Sequence, residues 1–138
     1  MKRILTLLLI SALLMTLAAP VSAAVVEPAQ PHFTYIHLLD KRISIDENNE
    51  TAVCYANCTV DTGLTIVING TLQQYKNGNW IDLKSWVTVG SRYASMDKSW
   101  TVSSGYLYRF SVTYKVYNSS GVLLESHSAS ASCFYPGT

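Results

Sequence analysis

The chain has 138 residues, ten Lys and Arg against nine Asp and Glu, and a formal net charge of +1. That is the length of one ordinary domain with a core of its own. Sequence-independent nucleic-acid binding needs clustered cationic side chains that neutralise phosphates, and no basic tract occurs, so that class is excluded.

The first segment, MKRILTLLLISALLMTLAAPVSAAV, opens on Lys2 and Arg3. An apolar run from Ile4 to Leu17 follows, and Val21-Ser22-Ala23 makes a small-x-small site. This is the layout of a secretory signal peptide, 1–23, cleaved after Ala23, with Ala24 as the other choice. The run is shorter than the ~20 apolar residues that a spanning helix needs. The expected product is secreted and extracellular, with no membrane span in its mature form. Loss of Lys2 and Arg3 moves the net charge from +1 to −1.

Residues 24–33, AVVEPAQPHF, carry two prolines and no period, and read as an extended lead-in to a domain over 34–138. TYIHLLDKRISID (34–46) reads as one or two short strands, and ENNE (47–50) as a polar turn. In TAVCYANCTV (51–60), Ala52, Cys54, Ala56, Cys58 and Val60 share one parity, and period two predicts a half-buried strand. DTG (61–63) turns the chain, and LTIVINGTLQQY (64–75) alternates again. KNGN (76–79) is a hairpin signal, because Asn-Gly readily takes the positive φ that a tight turn requires. WIDLKSWVTV (80–89) is the returning strand, GSRYASM (90–96) a loop, and DKSWTV (97–102) a short strand.

SGYLYRFSVTYKVYN (104–118) holds four tyrosines and a phenylalanine. Tyr106, Tyr108, Phe110, Val112, Tyr114 and Val116 fall on one parity, while the charged and hydroxyl residues fall on the other. That asymmetry predicts a strand with one buried face, its rings part of the core. SSG (119–121) turns the chain, and VLLESHSASASCFY (122–135) closes the sheet. Seven strands with turn signals about every ten residues and no helical period predict an all-β antiparallel sandwich.

Val102, Gly105, Tyr108 and Phe110 together resemble the tyrosine corner of immunoglobulin and fibronectin type III sandwiches. The resemblance implies that the Tyr108 hydroxyl bonds back to the backbone a few residues upstream, and that Phe110 is the buried position beside it. More widely, the signal peptide, TAVC, TLQQYKNGNWIDLKSW and VSSGYLYRFSVTYKVYNSSGVLLES resemble a family of small secreted proteins of Gram-positive bacteria. The likeness covers most of residues 43–126. It implies a stand-alone immunoglobulin-like domain; the family has no assigned function, so the likeness points to no activity and offers no functional residues to carry over.

Three cysteines, Cys54, Cys58 and Cys133, are an odd count for a secreted chain. Cys54 and Cys58 lie roughly 13 Å apart on one strand, too far to bridge each other. Two alternatives stay open: a disulfide from Cys133 to Cys54 or Cys58, or three buried thiols. An unpaired cysteine also offers a route to self-association.

Residues able to carry chemistry are few. Asp61-Thr62-Gly63 resembles the signature of aspartic proteases, whose paired carboxylates share a proton. Leu64 follows where that family has Ser or Ala, and no later apolar-apolar-Gly segment occurs. A hydrolase acting through Asp61 is therefore the alternative reading, and a structural, self-assembling surface protein is a third. His32, His37 and His127 lack metal or triad spacing and read as surface residues. No catalytic residue, metal or cofactor is expected.

The binding candidates are aromatic. Trp80, Asp82, Lys84 and Trp86 share a parity opposite Ile81, Leu83, Val87 and Val89. If the aliphatic set points inward, both indoles face water beside charges, an arrangement suited to stacking on sugars. Tyr117, and secondarily Tyr55, Tyr75 and Tyr93, join them by parity or loop position. The expectation is a secreted, non-catalytic binding module for an extracellular glycan, surface polymer or protein.

Overall fold

A computed structural model describes residues 31–137. The expected signal peptide and most of the lead-in lie outside the described residues. The strands are β1 (Ile36–Asp46), β2 (Thr51–Val60), β3 (Thr65–Lys76), β4 (Asn79–Ser91), β5 (Tyr93–Thr101), β6 (Tyr106–Tyr117) and β7 (Leu123–Tyr135). They form two antiparallel sheets, three-stranded β1-β2-β5 and four-stranded β4-β3-β6-β7, which pack as a β-sandwich.

Alternation decides the layers. On β2 every even residue from Ala52 to Val60 is buried, and on β6 the same holds from Tyr108 to Val116. Ile66, Ile68 and Leu72 of β3 complete the inner face of the four-stranded sheet. Tyr108, Tyr114 and Phe110 are the largest fully buried side chains, so these rings of the tyrosine-rich strand belong to the core. Burial of a phenol requires a partner for its hydroxyl. Tyr114 Oη donates to the Asp40 carbonyl at 2.7 Å. Tyr108 Oη donates to the Ser103 carbonyl at 2.6 Å and accepts from Ser103 N and Gln74 Nε2, each at 3.0 Å. One hydroxyl thereby ties the turn before β6 to β3.

Two glycines matter to this packing. Gly78 follows Asn77 with both φ positive, as the hairpin between β3 and β4 demands. Gly70 faces inward, and a Cβ there would lie 2.6 Å from the Phe110 ring and 2.9 Å from Met96 Sδ.

The 90–96 segment departs from the expected loop. Only Arg92, at φ 64°, separates β4 from β5, and Ala94 and Met96 are buried strand residues. The connection is that short because Arg92 is itself bonded into the frame: its N–H donates to Leu64 O at 3.2 Å and its carbonyl accepts from Val60 N at 2.9 Å. The 34–46 segment is one strand, with a register irregularity between Ile36 and Leu38. Just before it, Glu125 of β7 accepts the backbone N–H groups of Thr34, Tyr35 and Ile36 at 2.9–3.1 Å, which fixes the entry to β1. Phe33 meets His127 edge-on at 5.0 Å, so His127 is half-buried rather than open surface.

All three cysteines are free, and no bridge joins Cys133 to Cys54 or Cys58. The reason is placement. Cys54 and Cys58 sit on the central strand of one sheet, and Cys133 on an edge strand of the other. Burial pushes the Cys54 thiol up to about 12. Burial, with the Glu125 charge adding to it, takes Cys58 to about 11.

Candidate functional site

The outward face of the four-stranded sheet can be read row by row, because residues directly paired across an antiparallel ladder project to the same side. The row nearest the Asn77-Gly78 hairpin is Trp80–Tyr75–Leu107–Phe134. The next is Asp82–Gln73–Arg109–Ser132. Beyond it lie hydroxyl pairs, Thr71 with Ser85 and Thr113 with Ser128, each at 2.9 Å.

The first row is an apolar band across four strands, about 14 Å long at ~4.8 Å per strand. Tyr75 and Phe134 are exposed, while Trp80 and Leu107 are half-buried. The Tyr75 and Trp80 rings lie 5.1 Å apart, tilted by 56°. The second row is tied together by hydrogen bonds. Gln73 Nε2 donates to Asp82 Oδ1 at 2.7 Å, and Arg109 Nε donates to Gln73 Oε1 at 2.8 Å. The Arg109 guanidinium carbon lies 4.1 Å from the Trp80 ring centroid, within cation–π range. The result is an aromatic platform edged by polar groups whose positions are set by one another.

Trp86 and Lys84 do not belong to this platform. The ladder of β3 with β4 shifts register where Leu72 pairs Lys84 and Gln73 pairs Asp82, which leaves Leu83 as an extra residue. Such a bulge reverses the sidedness of everything beyond it. Trp80 and Asp82 therefore face outward, whereas Lys84 and Trp86 share the inward side with Leu72 and Gly70. Trp86 packs against the core, its ring T-shaped on Phe110 at 6.5 Å, over the space Gly70 leaves open. Lys84 Nζ lies 4.8 Å over the Trp100 ring of β5. The expectation that both tryptophans share one face is thus corrected. So is the inward placement of Val87 and Val89, which are 62 % and 63 % exposed. Tyr117 is on the outer face but at its far end, paired with Thr65, roughly 33 Å along β3 from Tyr75. Arg109, Gln73, Leu107 and Phe134 were missed, because only the ladder shows that they adjoin Trp80.

The other candidates lie apart. A hollow of about 490 Å³ lies mainly on the three-stranded sheet and is lined by Arg42, Ser44, Val53, Tyr55 and Asp97 among others. Its arginine is already matched: Arg42 Nε is 3.1 Å from Asp40 Oδ2, and Arg42 also covers Tyr55 at 4.5 Å. Concavity favours this hollow, and available chemistry favours the platform. The platform is the stronger candidate because it sets an exposed aromatic band beside a guanidinium that no described carboxylate pairs with directly. Asp61 sits on the exposed turn after β2, its Oδ1 2.6 Å from His37 Nε2. Tyr93 is exposed at the start of β5. Among the described residues no group of three or more His, Cys, Asp or Glu is arranged to hold a metal.

Comparison with models of known families, with curated proteins and with solved structures finds no match to this chain.

Proposed function

We propose that the protein is a secreted, non-catalytic binding module of the fibronectin type III kind, which grips an extracellular glycan on the outer face of its four-stranded sheet. The observation that carries this reading is the solvent-facing Trp80–Tyr75–Leu107–Phe134 band beside the tied Asp82–Gln73–Arg109 row. Aromatic faces bind the apolar faces of sugar rings, and fixed polar groups alongside orient the hydroxyls.

Three features support the fold type. The strand order places the first, second and fifth strands in one sheet and the third, sixth and seventh in the other, as in immunoglobulin-type sandwiches. The fourth strand pairs with the third rather than the fifth, so the sheets hold three and four strands. The Tyr108 hydroxyl bonded to Ser103, five residues upstream, is the bond a tyrosine corner makes. The secretory layout of residues 1–23 and the likeness to small secreted Gram-positive proteins support an extracellular role.

The test is retention on immobilised polysaccharides. Trp80→Ala should reduce retention by about tenfold or more, the scale of a binding hot spot, with the melting temperature unchanged. Trp86→Ala should lower the melting temperature and leave the retention of the folded fraction intact. Equal retention of wild type and Trp80→Ala would remove the platform as the site.

A further inference from the structure

The platform's polar row indicates which kind of glycan it takes. Arg109 uses only Nε internally, on Gln73 Oε1, and neither terminal nitrogen has a hydrogen-bond partner among the described residues. No described carboxylate lies within ion-pair distance of it. Asp82 is not paired with it directly: the Gln73 amide stands between the two charges, taking Asp82 Oδ1 at 2.7 Å on one end and Arg109 Nε at 2.8 Å on the other. The other arginine laid on a ring differs here: Arg42, over Tyr55, is held by Asp40 at 3.1 Å.

A guanidinium backed by Trp80, and steered by Gln73, loses little freedom when it pairs with an anion. Its two free terminal nitrogens form the fork that matches the two oxygens of a carboxylate. We propose, resting on the glycan-binding reading above, that the ligand is an acidic glycan whose sugar ring stacks on the Trp80–Tyr75 end of the band while its carboxylate accepts from the Arg109 terminal nitrogens. Gln73 acts as a positioning residue, since its amide is engaged at both ends.

The experiment uses affinity electrophoresis of the purified protein against polygalacturonate and hyaluronan, each beside its methyl ester. The ester keeps the sugar backbone and removes the charge. Wild type should be retarded about tenfold more strongly by the acids, the scale of one charge-assisted hydrogen-bond pair. Arg109→Gln should erase the acid-over-ester preference, Arg109→Lys should restore only part of it because an ammonium lacks the fork, and Arg42→Gln should leave it whole. Circular dichroism melts confirm that each variant is folded. Equal retardation by acid and ester, with loss in Trp80→Ala, overturns the carboxylate assignment and leaves glycan binding standing. Equal losses in Arg42→Gln and Arg109→Gln overturn it as well, by showing a response to net charge alone. No retardation by any of the four polymers overturns both readings.

Discussion

The inside and the outside of the sandwich are furnished with the same kinds of side chain, to opposite ends. Inside, Tyr108, Phe110 and Tyr114 are sealed from water, with the two phenol hydroxyls bonded at the rim. Outside, Tyr75, Trp80 and Phe134 meet solvent beside Arg109 and Gln73. On β6 the two roles are one residue apart, since Phe110 is core and Arg109 is platform. The contrast teaches that aromatic content says little here until sidedness is known. Inner rings hold the fold, and outer rings are free to bind.

That division can be tested by its consequences. The largest contrast should appear as a rate. At about pH 8 the thiolate fraction is roughly one in a thousand for Cys58 and one in ten thousand for Cys54, given their raised values, and both are also shielded. A thiol reagent should therefore label half-buried Cys133 first in the folded protein, and all three in denaturant. Rapid native labelling of Cys54 would mean that the interior is open. In equilibrium terms, Phe110→Ala should cost about 3–5 kcal/mol by emptying the space between Gly70, Met96 and Trp86, which urea unfolding would measure. Tyr108→Phe should cost about 1–3 kcal/mol, because Ser103 N and Gln74 Nε2 lose an acceptor as the Ser103 carbonyl loses a donor. Identical unfolding midpoints would show that this hydroxyl holds nothing. Trp80→Ala, on the outer side, should stay within about 0.5 kcal/mol of wild type while polysaccharide retention falls.

The smallest effect belongs to Asp46, at the end of β1. Its carboxyl is held below the ordinary 3.8 chiefly by the Asn49 side chain, which outweighs desolvation, with the Asn49 and Asn48 N–H groups adding to the lowering. A depressed folded value stabilises above the unfolded value and loses that contribution as pH falls through the folded one. Asn49→Ala should thus narrow the difference in melting temperature between about pH 5 and about pH 3. A difference as wide as wild type would sink this account of the turn.

Much of this was legible beforehand. Period two on 51–60 and 108–116 named the buried faces residue by residue, because each strand is regular and carries its charged, amide and aliphatic-hydroxyl residues on the other side. Asn77-Gly78 marked its hairpin for a backbone reason that acts locally. The strand after Trp80 was different: both parities carry apolar residues, so composition could not choose between them, and nothing in WIDLKSW announces an extra residue at Leu83. The segment 90–96 misled in the same way, since Gly-Ser-Arg reads as a loop although a single residue makes the turn. Arg109 was visible only as a charge on an outward parity.

By itself, then, the order of residues determined an all-β chain, its strand parities and the membership of its core, because these follow from local backbone geometry and the removal of apolar side chains from water. Tertiary pairing alone decided which tryptophan faces out, why no disulfide forms and which four strands supply the platform. Register and bulges are properties of two strands together. A one-residue shift turns a side chain from one face to the other without changing any letter of the sequence.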